Sequence, residues 1–98
     1  MKIARVVGTA TGPMKDPPLT GQKLLVVEPL DAGGTVVGPH EVVTDAVGAG
    51  VGDWVLVATG SAARQSHRTR AVPTDGTAVV ILEEVKIGDE STYRSSDG

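Results

Sequence analysis

Apolar residues along this chain fall in short β-branched runs separated by breaks rich in glycine and proline. Lys2 to Thr9 predicts a first strand, ended by Thr11-Gly12-Pro13. Met14 to Gly21 predicts a loop, because Pro17 and Pro18 lack ladder donors and fix φ. Gln22 to Leu30 predicts a second strand, closed by Pro29. Asp31-Ala32-Gly33-Gly34-Thr35 then has turn chemistry, and Val36-Val37-Gly38 opens a return arm, so residues 22–38 read as a hairpin. Glu41 to Val47 and Trp54 to Thr59 predict a third and a fourth strand around the cluster Gly48-Ala49-Gly50-Val51-Gly52-Asp53. Ser61, after Gly60, can cap one short helical turn. A polar, basic loop follows, and Thr77 to Ile87 predicts the last strand. The small polar tail from Gly88 to Gly98 is expected to fray. The chain thus reads as one all-β domain over residues 1–87 with a polar tail over 88–98. The strand spacing suits a small antiparallel barrel or sandwich.

One feature of the pattern reaches beyond the single chain. A strand with one solvated face should alternate apolar and polar residues. Leu24-Leu25-Val26-Val27, Val55-Leu56-Val57-Ala58 and Val79-Val80-Ile81-Leu82 are apolar on both parities. One face can fill a barrel. The other exceeds the apolar patch a monomer usually tolerates, so a second copy of the chain is expected to cover it. Leu24, Val26, Val55 and Val57 are the expected apolar contacts, with Arg64 and Arg68 as charged ones.

Composition narrows the chemistry. Ninety-eight residues make one core. With 2% aromatics and no Phe, that core must be built from Val, Ala, Leu and Ile. The absence of cysteine excludes disulfides, thiolate metal sites and thiol catalysis, and it fits a cytosolic protein. No run approaches the length of a membrane helix, and Met1 to Gly8 is too short and interrupted for a signal peptide. The net charge of −3 argues against general binding to nucleic acid or anionic membrane.

No catalytic set assembles. The glycine cluster is not G-x-G-x-x-G and leads into a strand, so no helix N-terminus awaits a phosphate. His40 and His67 are 27 positions apart, outside metal-ligand spacing. Ser61 and Ser66 have no oriented base by sequence, and Glu83 and Glu84 point to opposite faces of a strand. No cofactor or metal is expected. Residues 54–74 carry Arg64, Arg68 and Arg70 and no acid, leaving six basic and twelve acidic residues elsewhere. That basic stretch is either a solvated loop or a contact with acidic groups of another subunit. A five-stranded barrel also admits an OB-type module for single-stranded nucleic acid, but such modules need aromatic platforms and a positive groove. A small enzyme or ligand-binding barrel using the loop from Arg64 to Asp75 is a further alternative.

Over residues 1–87 the chain resembles the EutN/CcmL family of pentameric vertex proteins of bacterial microcompartments. The resemblance runs through Ile3-Ala4-Arg5-Val6-Val7-Gly8-Thr9, then Lys15, Leu19, Gly21 and Lys23-Leu24-Leu25-Val26-Val27 with Pro29-Leu30-Asp31. Its most specific stretch is Asp45-Ala46-Val47-Gly48-Ala49-Gly50-Val51-Gly52-Asp53 before Val55-Leu56-Val57, leading into Gly60-Ser61-Ala62-Ala63-Arg64-Gln65. Pro73, Asp75 and Val79-Val80 complete it. The resemblance implies an OB-like barrel, a homopentamer at the vertices of a shell in the bacterial cytoplasm, and hexameric shell proteins as partners. It implies no enzyme activity. In this reading Gly48, Gly50 and Gly52 shape a turn, and Gly60, Ser61, Ala63 and Arg64 lie near subunit contacts or an axial opening. Trp54 stands where the family pattern usually has a smaller or charged residue, and the tail with Tyr93 matches no pattern.

Overall fold

The computed structural model describes residues 1–11, 23–59 and 76–97. Seven strands run in chain order: β1 Lys2–Ala10, β2 Leu24–Leu30, β3 Glu41–Asp45, β4 Trp54–Ala58, β5 Thr77–Ile81, β6 Glu84–Ile87 and β7 Glu90–Arg94. The first five close a barrel in the order β1-β2-β3-β5-β4, and β6 and β7 form a separate two-stranded sheet. Four of the barrel ladders are antiparallel. The fifth, β3 with β5, is parallel and short, pairing Thr44 with Thr77 and Asp45 with Ala78. That closing ladder corrects the expectation of an all-antiparallel barrel. Between the two threonines a hydroxyl–hydroxyl hydrogen bond of 3.0 Å, buried, satisfies polar groups that the seam would otherwise strand.

Inward residues come from every barrel strand: Ala4 and Val6, Leu25 and Val27, Val43, Val55 and Val57, and Ala78, and buried Ala49 joins the same cluster. A five-stranded barrel is too narrow for stacked rings, and Val, Ala and Leu25 make up its interior. Each buried valine or leucine contributes about 1.5–3 kcal/mol of transfer free energy. Val7 lies where the β1–β2 register shifts between Val6 and Gly8, a bulge that bends β1 around the barrel.

Two expectations change and one holds. β2 ends at Leu30 as expected and runs through Pro29, which pairs with Ala4. Proline is accepted there because the β2–β3 ladder ends at Val27 with Glu41, so its missing N–H faces no partner strand. The return arm at Val36 is a single bridge to Leu30, and the true partner of β2 is β3. The last strand is two strands: β5 leaves the barrel at Leu82, whose N–H donates to the Trp54 carbonyl at 2.8 Å. β6 then pairs with β7 across the two-residue loop Gly88-Asp89. The expected boundary at residue 87 therefore falls inside a hairpin, not at the start of a frayed end. The expected helical turn after Gly60 lies outside the described residues; within them, Ser95–Asp97 forms one 3-10 turn.

Candidate functional site

The glycine cluster folds into a tightly held turn between β3 and β4. At its start, the Asp45 side chain is buried, and its Oδ1 accepts from the N–H groups of Val47 at 3.0 Å and Gly48 at 2.9 Å. Lys23 Nζ lies 3.5 Å from Asp45 Oδ2 and also donates to the Ala49 carbonyl. At the other end, the Gly50 N–H donates to Asp53 Oδ2 at 2.8 Å, and the Gly52 N–H donates to the Val6 carbonyl at 2.8 Å. Gly48 and Gly52 sit at φ of 80° and 96°, where a side chain is strained, so both positions require glycine. Gly50 has no such need; it contributes its N–H. Pinned at both ends, the turn presents Val47 and Val51 to solvent, Val51 at 68% exposure.

The barrel's outer wall carries the second surface. Leu24 and Val26 face outward on β2 and are half-buried, while Leu25 and Val27 fill the core. Val55 and Val57, expected as outer contacts, are fully buried core residues, and the outward aliphatic residue of β4 is Leu56. The β1–β4 register explains the reversal. Ala4, an inward residue, pairs with Val55, while outward Ile3 pairs with Leu56. Outer residues then line up across strands. Gly8, Val26 and Val42 form one row across β1, β2 and β3; Ile3, Leu56 and Val80 form another across β1, β4 and β5. Val42 and Val80 are 37% and 40% exposed.

Polar groups border these rows. The Arg5 guanidinium donates to Glu28, whose carboxylate is only 13% exposed, and His40 Nε2 lies 3.7 Å from Glu28 Oε2. Lys2 Nζ donates to Glu41 Oε1 at 2.6 Å across β1 and β3. Gly60, Ser61, Ala63, Arg64 and Arg68, together with His67, lie outside the described residues. Among the described residues, no three His, Asp or Glu side chains gather as a metal site, and no helix is long and apolar enough to cross a membrane.

The structure also joins two residues that the sequence left separate. Trp54 is 7% exposed and stacks on Tyr93, with ring centroids 4.4 Å apart and planes at 12°. Gly34 abuts the other part of the indole; a Cβ there would lie 3.1 Å from it. Thr92 Oγ1 donates to the Ala32 carbonyl at 2.6 Å, so the hairpin is fastened to the barrel by a ring stack and a hydrogen bond. Two strands alone are marginal in water, which makes this fastening a condition of the hairpin's existence. The missed signal was Gly88-Asp89 between two alternating segments, a hairpin dipeptide.

Within the hairpin, Arg94 Nε donates to Glu84 Oε2 at 3.0 Å, and this bond holds the Glu84 carboxyl below its ordinary 4.5. A depressed carboxylate pKa stabilises the fold above the unfolded value and loses that contribution as pH falls through the folded one. Acid titration is therefore expected to loosen the hairpin below the ordinary carboxylate range, with Trp54 emission shifting red. Arg94→Gln should weaken that step, leaving the smaller contributions of Ser91 and Lys86. Because the pair is exposed, the effect is small.

Residues 1–83 match the family model described as ethanolamine utilisation protein EutN/carboxysome. The chain is 43% identical over 97 residues to the carboxysome shell vertex protein CcmL of Synechocystis sp., covering 99% of this chain and 97% of that protein. The solved structure of Gloeobacter violaceus CcmL superposes with a TM-score of 0.88 at 36% identity, covering 99% of this chain and 100% of the other. A pentameric microcompartment shell protein, GrpN from Rhodospirillum rubrum, superposes with a TM-score of 0.77 at 40% identity, covering 89% and 99% respectively.

Proposed function

Because this chain belongs to the EutN/CcmL family, we propose that it is a structural, non-enzymatic shell protein that forms a homopentamer and caps the vertices of a bacterial microcompartment in the cytoplasm. One observation carries the reading: a closed barrel with an aliphatic core of its own still shows aliphatic residues on its outside. Leu56 is half-buried and Val80 is 40% exposed in the single chain, and five copies in a ring would cover them. Hexameric tiles alone make flat sheets, and five wedges closed by heterologous contacts supply the curvature.

The turn from Asp45 to Asp53 is the surface we assign to docking against hexameric shell proteins. It is pre-ordered by its own hydrogen bonds, so a partner meets Val51 without first having to order a loop. The rival reading, a module for single-stranded nucleic acid, needs an exposed aromatic platform; here the indole is covered by Tyr93 and Gly34. Light scattering at micromolar concentration is expected to give the mass of about five chains, and a stable monomer would refute the proposal. Val51→Asp should keep that mass and fail to close shells when co-expressed with hexameric shell proteins, leaving open or elongated particles. Closed shells with this variant would move docking to another surface.

A further inference from the structure

The two arms of the turn from Asp45 to Asp53 are held by different means. The far arm is tied to β1 through the backbone: the Gly52 N–H donates to the Val6 carbonyl at 2.8 Å, and the Val6 N–H donates to the Asp53 carbonyl at 2.9 Å. The near arm, Val47 to Ala49, is held by side chains. Asp45 Oδ1 accepts from the Val47 and Gly48 N–H groups, and the Lys23 ammonium donates to the Ala49 carbonyl. Lys23 stands 26 positions before Ala49 in the sequence. Its own carbonyl accepts from the Asp45 N–H at 2.9 Å, so the start of its side chain is fixed beside the turn by one more rung of the β2–β3 ladder.

This arrangement depends on a charge. The Asp45 side chain is 1% exposed, and its Oδ2 is buried without a hydrogen-bond partner. Among the described residues, the Lys23 ammonium, 3.5 Å away, is the one cation that pairs with it. A buried carboxylate deprived of its cation is strongly disfavoured. Its relief is to turn out into water, which takes Oδ1 away from the Val47 and Gly48 N–H groups. The carbonyl of fully buried Ala49 loses its donor at the same time. The Lys23 side chain is itself half-exposed, so the cost of replacing it lies in the carboxylate left behind rather than in lost packing.

We infer, on the docking reading given above, that Lys23 is a positioning residue for docking: its charge holds the near arm of the turn so that Val47 and Val51 are presented together. Lys23→Met removes the charge and keeps an unbranched stem. Asp45→Asn keeps an acceptor for the two N–H groups and removes the buried charge that needs a cation. Both single variants and the pair would be checked for mass by light scattering, then followed by amide hydrogen exchange and by shell closure on co-expression with hexameric shell proteins. In Lys23→Met the Val47 and Gly48 amides are expected to exchange about a hundredfold faster or more, while β1, β2 and β4 stay protected, the mass is unchanged and shells are left open. The double variant should regain the protection and close shells, because no unpaired charge remains. Unchanged exchange in Lys23→Met would overturn the inference. So would open shells in a double variant whose protection has returned, because Lys23 would then meet the partner directly. Faster exchange with closed shells would also overturn it, and Val51→Asp separates the two failures: closed shells in that variant refute docking by the turn, and open shells refute only the part given to Lys23. Should Lys23→Met not fold, a folded double variant supports the same charge dependence, and an unfolded one overturns it.

Discussion

Val57→Asp is expected to yield no folded protein, while Leu56→Asp, one residue away, yields a folded one that no longer assembles. Val57 is fully buried among the barrel's aliphatic side chains, where a carboxylate finds no partner. An uncompensated buried charge costs several kcal/mol, and a domain of this size has only about 5–15 kcal/mol in total. Leu56 faces outward and is only half-buried in the single chain, so aspartate there remains hydrated. Circular dichroism with urea titration should show Leu56→Asp unfolding cooperatively, with light scattering giving a single chain. A folded Val57→Asp that merely dissociates would mean that the two faces of β4 are assigned the wrong way round.

Trp54→Ala should release the C-terminal hairpin from a barrel that otherwise survives. Truncating a buried tryptophan costs about 3–5 kcal/mol. Here much of that loss falls on the hairpin, because the Tyr93 stack is lost and a two-stranded sheet does not hold by itself. Hydrogen exchange should then accelerate across β6 and β7 while β1, β2 and β4 remain protected. Tyr93→Ala should give the same exchange pattern. It also leaves the chain's single tryptophan as a reporter, with emission shifting red as the indole meets water. Protected hairpin amides in both variants would mean that Thr92 and the β6–β7 ladder suffice without the rings.

Much of this was legible from residue types. The glycine turn was found at its place because Gly48 and Gly52 are needed where φ is positive, and Asp45 and Asp53 are side chains that bond local backbone. Leu24 and Val26 lie on the outer face and Leu25 and Val27 are inward, as the β1–β2 and β2–β3 registers require. The hairpin at Gly88 carried a local signal that charge and small residues disguised as a tail.

The sequence by itself determined that the protein is all-β, where its five barrel strands lie, that its interior is aliphatic, and that apolar surface is left over. All of these depend on composition and short-range spacing. Only the tertiary structure decided which residues of Val55-Leu56-Val57 point inward, that β3 closes on β5 in parallel, and that Trp54 meets Tyr93. A run that is apolar on both parities carries no phase. Its facing is fixed only when a neighbouring strand such as β1, with Ala4 inward and Ile3 outward, imposes its register through the hydrogen-bond ladder.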